Sequence, residues 1–161
     1  MNSTETGPTQ APGAPLTGNA VFLVVTIEPD GLDTVRAVLA DLSDSMKAIT
    51  FRFPDAALTC TVGVGNDVWA PLMRSTPPAQ LRPFAPVVGA VHTAPATDGD
   101  LLFHIRAERA DVCFFFEKRL LSDLGDAVQV VDETVGFRSF DRRDLLGFVD
   151  GTANLIGALR K

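Results

Sequence analysis

Three features of this 161-residue sequence predict an α+β domain, an antiparallel sheet with both long helices on one face. Segments with strand periodicity and segments with helix periodicity follow one another as strand, helix, strand, then strand, helix, strand. The first strand segment is an almost unbroken β-branched and aromatic run, the composition of a strand in a sheet centre or buried on both faces. A proline-rich stretch separates the two triplets and carries no clear period of its own.

The run is Ala20-Val21-Phe22-Leu23-Val24-Val25-Thr26-Ile27 within Asn19 to Glu28, and the turn Pro29-Asp30-Gly31 closes it. From Leu32 the apolar residues Leu32, Val35, Leu39, Leu42 and Met46 recur at three and four, which predicts an amphipathic helix ending near Ala48. Leu58 to Val64 alternates Leu58, Cys60, Val62 and Val64 with Thr59, Thr61 and Gly63, a strand with one polar face. Asn66 to Met73 predicts a short helix capped by Asn66 and limited by Pro71.

Pro77 to Asp100 holds five prolines and predicts a long ordered loop, with a strand at Val87 to Val91. Leu101 to Ala107 is a strand, and a helix opening at Arg109 or Asp111 runs to Leu124 with Val112, Phe115, Phe116, Leu120 and Leu121 as its stripe. Gly125 stops that helix, and Val128 to Phe137 is the fourth strand of the double triplet. The arrangement is the split βαβ of ferredoxin-like folds.

Residues 1–18 are rich in Ser, Thr, Gly and Pro without a basic start or apolar core, so they predict a disordered tail rather than a signal peptide. Residues 19–161 then form one domain. A net charge of -6 with no Lys/Arg cluster beyond a pair argues against nucleic acid as a partner. No stretch approaches the roughly 20 apolar residues of a membrane helix. Cys60 and Cys113 are too few for a disulfide framework or a zinc site and read as small buried residues, compatible with a cytoplasmic protein.

The chemistry concentrates in Gly147-Phe148-Val149-Asp150-Gly151-Thr152, with Asn154 two residues on. Asp-Gly alone is also a common hairpin turn, and Asp is a good helix cap. Here, however, the carboxylate follows an apolar run and stands between two glycines, so the backbone can fold tightly around it and carry it into a poorly hydrated site. Apolar neighbours such as Phe148 and Val149 would raise its pKa, and capping amides would lower it.

This hexapeptide, with the approach Arg138-Ser139-Phe140-Asp141-Arg142-Arg143, resembles the Gly-x-x-Asp-Gly haem-site signature of dye-decolorizing peroxidases. The resemblance covers roughly Ala20 to Leu159 and implies one ferredoxin-like half of a dimeric α+β barrel type architecture that holds haem b between two halves. It makes Asp150 the catalytic acid–base group that takes a proton from hydrogen peroxide and returns it to the departing oxygen. Gly147, Phe148, Val149, Gly151, Thr152 and Asn154 become cofactor-contacting positions, and an organic reductant such as a dye becomes the second substrate.

The resemblance also implies a proximal His and a distal Arg from a second half. Neither has a match here: His92 and His104 precede the motif, Arg160 stands outside the right context, and Leu155 occupies a position where relatives usually carry Pro. The expectation is an N-terminal half, truncated, that meets a second-half partner chain or forms a homo-oligomer.

The remaining candidates have structural readings. His104 alternates with Phe103 and Ile105 and belongs to a sheet surface; His92 belongs to the proline-rich loop. They lie too far apart in sequence to form a metal-binding pair on one helix, and no metal ligand is assigned within the chain. Phe114-Phe115-Phe116 reads as core plus one partner-facing ring, and Trp69 as a packing residue rather than a surface oxidation site. Arg142, Arg143 and Asp144 read as a solvated approach to the motif. Two rivals to the peroxidase are a non-catalytic ferredoxin-like binding or dimerisation module, and a small haem-handling barrel enzyme with an in-chain His ligand.

Overall fold

The computed structural model describes residues 10, 12–140 and 143–148. The chain runs β1 (Asn19–Ile27), α1 (Leu32–Arg52), β2 (Thr59–Val64), α2 (Asn66–Met73), β3 (Val87–Val88), β4 (Thr93–Ala94), β5 (Leu101–Ala107), α3 (Ala110–Leu124) and β6 (Val128–Phe137), with short 3-10 turns at Pro54–Ala56 and Gly125–Ala127. Four strands form one antiparallel sheet in the order β2-β5-β1-β6, which is the split βαβ topology.

Strand β1 occupies the centre, and its alternation decides which face is core. Val21, Leu23 and Val25 are buried beneath the helices together with Leu101, Phe103 and Ile105 of β5. The register places Leu23 beside Phe103 and Phe103 beside Val62, so one apolar layer crosses three strands. Val35 and Ile49 of α1, and Val112, Phe116, Leu120 and Leu124 of α3, close that layer from above. Burial on this one face is what makes the sheet register unambiguous.

Helix α1 continues past the expected end near Ala48, because Ile49 adds another buried position to the stripe before Pro54 stops the chain. Helix α3 buries Val112, Cys113, Phe116, Glu117, Leu120 and Leu124, whereas Phe115 is 52% exposed and leaves the predicted stripe. Phe114 is exposed as well, so only Phe116 of the aromatic triplet belongs to the core.

Gly31, at the start of α1, allows the β1–α1 turn to press against the turn after α3. A Cβ there would stand 2.2 Å from the Ala127 carbonyl oxygen, which also accepts the Glu28 N–H at 2.9 Å. The expected Asn66 cap is corrected: Gly65 is the N-cap of α2, and Asn66 Nδ2 instead donates to the Leu81 carbonyl at 2.7 Å, holding the start of the proline-rich loop. The loop's far end is held by Asp100, whose N–H donates to Val25 O at 2.8 Å and whose carboxylate accepts the Ile27 N–H at 2.7 Å. Between them β3 and β4 pair as a small hairpin, shorter than the strand expected to reach Val91, with His92 in its turn.

Composition alone predicts disorder through residue 18, yet the described residues just before β1 are hydrogen-bonded. Gly18 N–H donates to Glu108 Oε2 at 3.1 Å, and Arg138 Nη2 donates to Leu16 O at 3.0 Å. Side chains from distant elements bind this backbone, a signal that local composition does not carry.

Glu117 is the acidic residue buried in α3, and among the described residues its Oε1 has no hydrogen-bond partner. Burial, reinforced by the charge of Glu133 on β6, pushes its carboxyl above the usual range. The native state therefore holds this proton more tightly than the unfolded chain, so the stability it contributes is present at low pH and lost as pH rises through and above the ordinary glutamate range. Glu117→Gln is expected to raise the melting temperature at about pH 8 more than at about pH 4. Thermal denaturation at the two pH values checks it; an equal shift at both would contradict the buried-acid assignment.

Candidate functional site

The second face of the sheet is built by the alternate residues of the same strands. Register places Thr61, His104, Phe22 and Thr134 in one row across it, and Gly63, Leu102, Val24 and Asp132 in the next. Phe22 and Leu102 are 38% and 39% exposed, unlike their neighbours on the helix side. His104 stacks on Phe22 with ring centroids 4.3 Å apart and planes 14° from parallel. Burial, and then the charge of Arg106 on the same strand, lower its pKa, so this imidazole is neutral at pH 7. His104 is thus a sheet-surface residue, as its alternation predicts.

Strand β6 is an edge of that sheet, and the chain leaves it toward the motif. Residues 143–148 fold into a turn closed on itself. Asp144 Oδ1 accepts the N–H of Leu146 at 2.9 Å and that of Phe148 at 2.8 Å, while Asp144 N–H donates to Phe148 O at 3.0 Å. Gly147 N–H donates to Asp144 O at 3.1 Å, and Arg143 Nη1 donates to Gly147 O at 3.0 Å. Gly147 has φ of +93°, a conformation that glycine adopts without the cost a side chain would bring.

This turn points its apolar side chains outward. Leu145 and Leu146 are exposed and Phe148 is 67% exposed, so the residues that open the motif form an apolar crown. Of the motif positions, Gly147 and Phe148 are therefore placed. Val149, Asp150, Gly151, Thr152 and Asn154 lie outside the described residues, as does Arg142.

Asp144 is exposed, in keeping with a solvated approach, and its carboxylate is also the hub of the turn. The spacing Asp-x-x-Gly carries the signal: Asp favours side-chain bonds to the amides that follow it, and glycine takes the positive φ.

The other candidates fall away from this turn. Trp69 is half-buried on α2 and donates from Nε1 to Ser75 Oγ at 3.2 Å. Cys60 and Cys113 are free thiols, and burial pushes Cys60 up to about 12, which makes it inert rather than nucleophilic. Among the described residues no group of three His, Cys, Asp or Glu side chains is arranged to hold a metal ion. Among them, too, no helix is long and apolar enough to cross a membrane.

A four-stranded split βαβ sheet with helices on one face defines a ferredoxin-like α+β domain, and a glycine-bearing apolar turn follows its edge strand. The chain belongs to the dye-decolorizing peroxidase family: the family model for the Dyp-type peroxidase N-terminal region matches residues 13–138. The dye-decolorizing peroxidase of Mycobacterium tuberculosis is 54% identical over 146 residues, which cover 91% of this chain and 44% of that protein. The encapsulated DyP-type peroxidase from Mycobacterium smegmatis, solved by cryo-EM, is 49% identical with a TM-score of 0.89 over 93% of this chain and 48% of that one. A DypB variant from Rhodococcus jostii in complex with heme is 46% identical with a TM-score of 0.86, covering 92% of this chain and 48% of that one. The chain thus spans less than half the length of these relatives, and the matches support its reading as the family's N-terminal half.

Proposed function

We propose that residues 19–161 are the N-terminal half of a haem peroxidase that uses hydrogen peroxide to oxidise dyes or other bulky organic reductants. The observation that carries this reading is the closed turn at Asp144–Phe148, which fixes the opening of the Gly-x-x-Asp-Gly motif in a chain of this family.

The described residues fit one edge of a flat apolar macrocycle. Leu145, Leu146 and Phe148 expose apolar surface, and the hollow lined by Val24, Gly63, Gly99 and Leu102 on the sheet, at about 240 Å³, is too small to enclose such a group alone. His104 is stacked on Phe22 and His92 sits in the turn between β3 and β4, and the residue that would hold the iron is assigned to a second half. Haem, when bound, supplies the iron at which peroxide is reduced. Phe148 would meet its edge; Val149, Gly151, Thr152 and Asn154 follow it in the motif as contacts or supports of the loop. Asp150 takes a proton from hydrogen peroxide and delivers it to the departing oxygen.

The partner is a second-half polypeptide or a further copy within an oligomer. Two free thiols suit a reducing compartment, and we place the protein in the cytoplasm.

Haem titration tests the reading. Co-expressed with the second half of the Mycobacterium tuberculosis relative, the chain is expected to give a stoichiometric Soret band and peroxide-dependent dye oxidation; alone it gives neither. Tight one-to-one haem binding by the chain alone would contradict a site shared between halves. No Soret band in the co-expressed pair would remove the peroxidase reading in favour of a ferredoxin-like binding or dimerisation module.

A further inference from the structure

We propose that Asp144 is a positioning residue for Asp150, acting through the backbone of Phe148; this rests on the peroxidase reading above. Both backbone polar groups of Phe148 are engaged by the same residue. Its N–H is bound by the Asp144 carboxylate at 2.8 Å and its carbonyl by the Asp144 N–H at 3.0 Å. The Leu146 amide gives the carboxylate a second donor at 2.9 Å, and Gly147 N–H donates to Asp144 O at 3.1 Å, so the ring closed between 144 and 148 is held at four points. Arg143 adds a fifth by donating to the Gly147 carbonyl at 3.0 Å.

Such a ring holds the Phe148 backbone, and Asp150 follows only two residues later in the sequence. A proton acceptor works only within hydrogen-bond reach of its donor, and a displacement of about 1 Å is enough to cost as much as 10²-fold in rate. Hydrogen bonds from backbone amides to a carboxylate are charge-assisted and shorter than neutral ones, which makes this acid a stiff clamp although every residue from 143 to 148 is exposed. The exposure also separates the clamp from folding, because none of these side chains belongs to the core.

Two substitutions distinguish clamp from charge. Asp144→Ala removes the acceptor of both amides, whereas Asp144→Asn keeps an oxygen in the same place. Hydrogen exchange on the chain without haem reads the clamp directly: the Leu146 and Phe148 amides are expected to be protected in the unsubstituted chain and in Asp144→Asn, and to lose that protection in Asp144→Ala at an unchanged melting temperature.

In the haem-loaded pair with a second half, Asp144→Ala is expected to lower kcat at least about tenfold with KM for the dye within about twofold, and Asp144→Asn to restore most of the loss. Unprotected Leu146 and Phe148 amides in the unsubstituted chain would overturn the proposal. So would an Asp144→Ala enzyme that turns over at the unsubstituted rate. Loss of the peroxidase reading shows elsewhere, as the absence of a Soret band in the unsubstituted co-expressed pair, and leaves the exchange result standing.

Discussion

Phe103→Ala is expected to destabilise the fold by about 3–5 kcal/mol, the usual cost of emptying a fully buried aromatic site. Phe103 has no exposed surface and lies at the middle of β5, with Leu23 beside it on β1 and Val62 beside it on β2. Those neighbours are fixed by sheet hydrogen bonds on both sides, so their backbones cannot move in to fill the space. The ring's loss therefore combines the transfer free energy of the removed atoms with an open cavity. For a domain of this size each kcal/mol lowers the melting temperature by roughly 2–4 °C. Phe115→Ala supplies the contrast: that ring is half exposed on the far side of α3, and its loss is expected to stay within about 0.5 kcal/mol. Chemical denaturation of the two variants checks both values, and a Phe115→Ala cost matching that of Phe103→Ala would mean that another element covers the outer face of α3.

The contrast between these two phenylalanines also marks where sequence stops specifying structure. The central place of β1 is one of the two readings that the near-continuous apolar run Ala20 to Ile27 allows; burial on both faces is the other, and Phe22 is 38% exposed. The double βαβ order followed from the periods, and the comparison with solved relatives agrees with it. Helix periodicity alone, however, tolerates a stripe rotated by a residue. Phe115 and Cys113 both fit the pattern in α3, and the sheet beneath selects Cys113. The Asn66 cap was lost to a contact with Leu81 fifteen residues away, which no local rule contains.

At the site, the Gly-x-x-Asp-Gly pattern marks the candidate loop by its central carboxylate, whereas the carboxylate that closes the turn before it, Asp144, lies outside the pattern. Asp144 sits among charged residues and looks solvated. Only the geometry shows its oxygen facing two amides of its own turn. Long-range hydrogen bonds likewise join Gly18 to Glu108 and Leu16 to Arg138, contacts that local composition does not carry.

Asp150→Asn is expected to lower peroxide-dependent turnover by about 10²–10⁴-fold in the haem-loaded pair of halves, the range over which a positioned acid–base group contributes. The substitution keeps size and hydrogen-bonding reach while removing the function at issue: an amide does not take up a proton near neutral pH and give it back. Because the two side chains are nearly isosteric, the loop held by Asp144 is expected to keep its course, and the Soret band its intensity. A loss of turnover with haem retained therefore isolates proton transfer from binding, and the deficit is expected in the peroxide-dependent step rather than in KM for the dye. If Asp150→Asn instead turns over within about twofold of the unsubstituted enzyme, the carboxylate is a turn residue and the acid–base role belongs to a group of the second half.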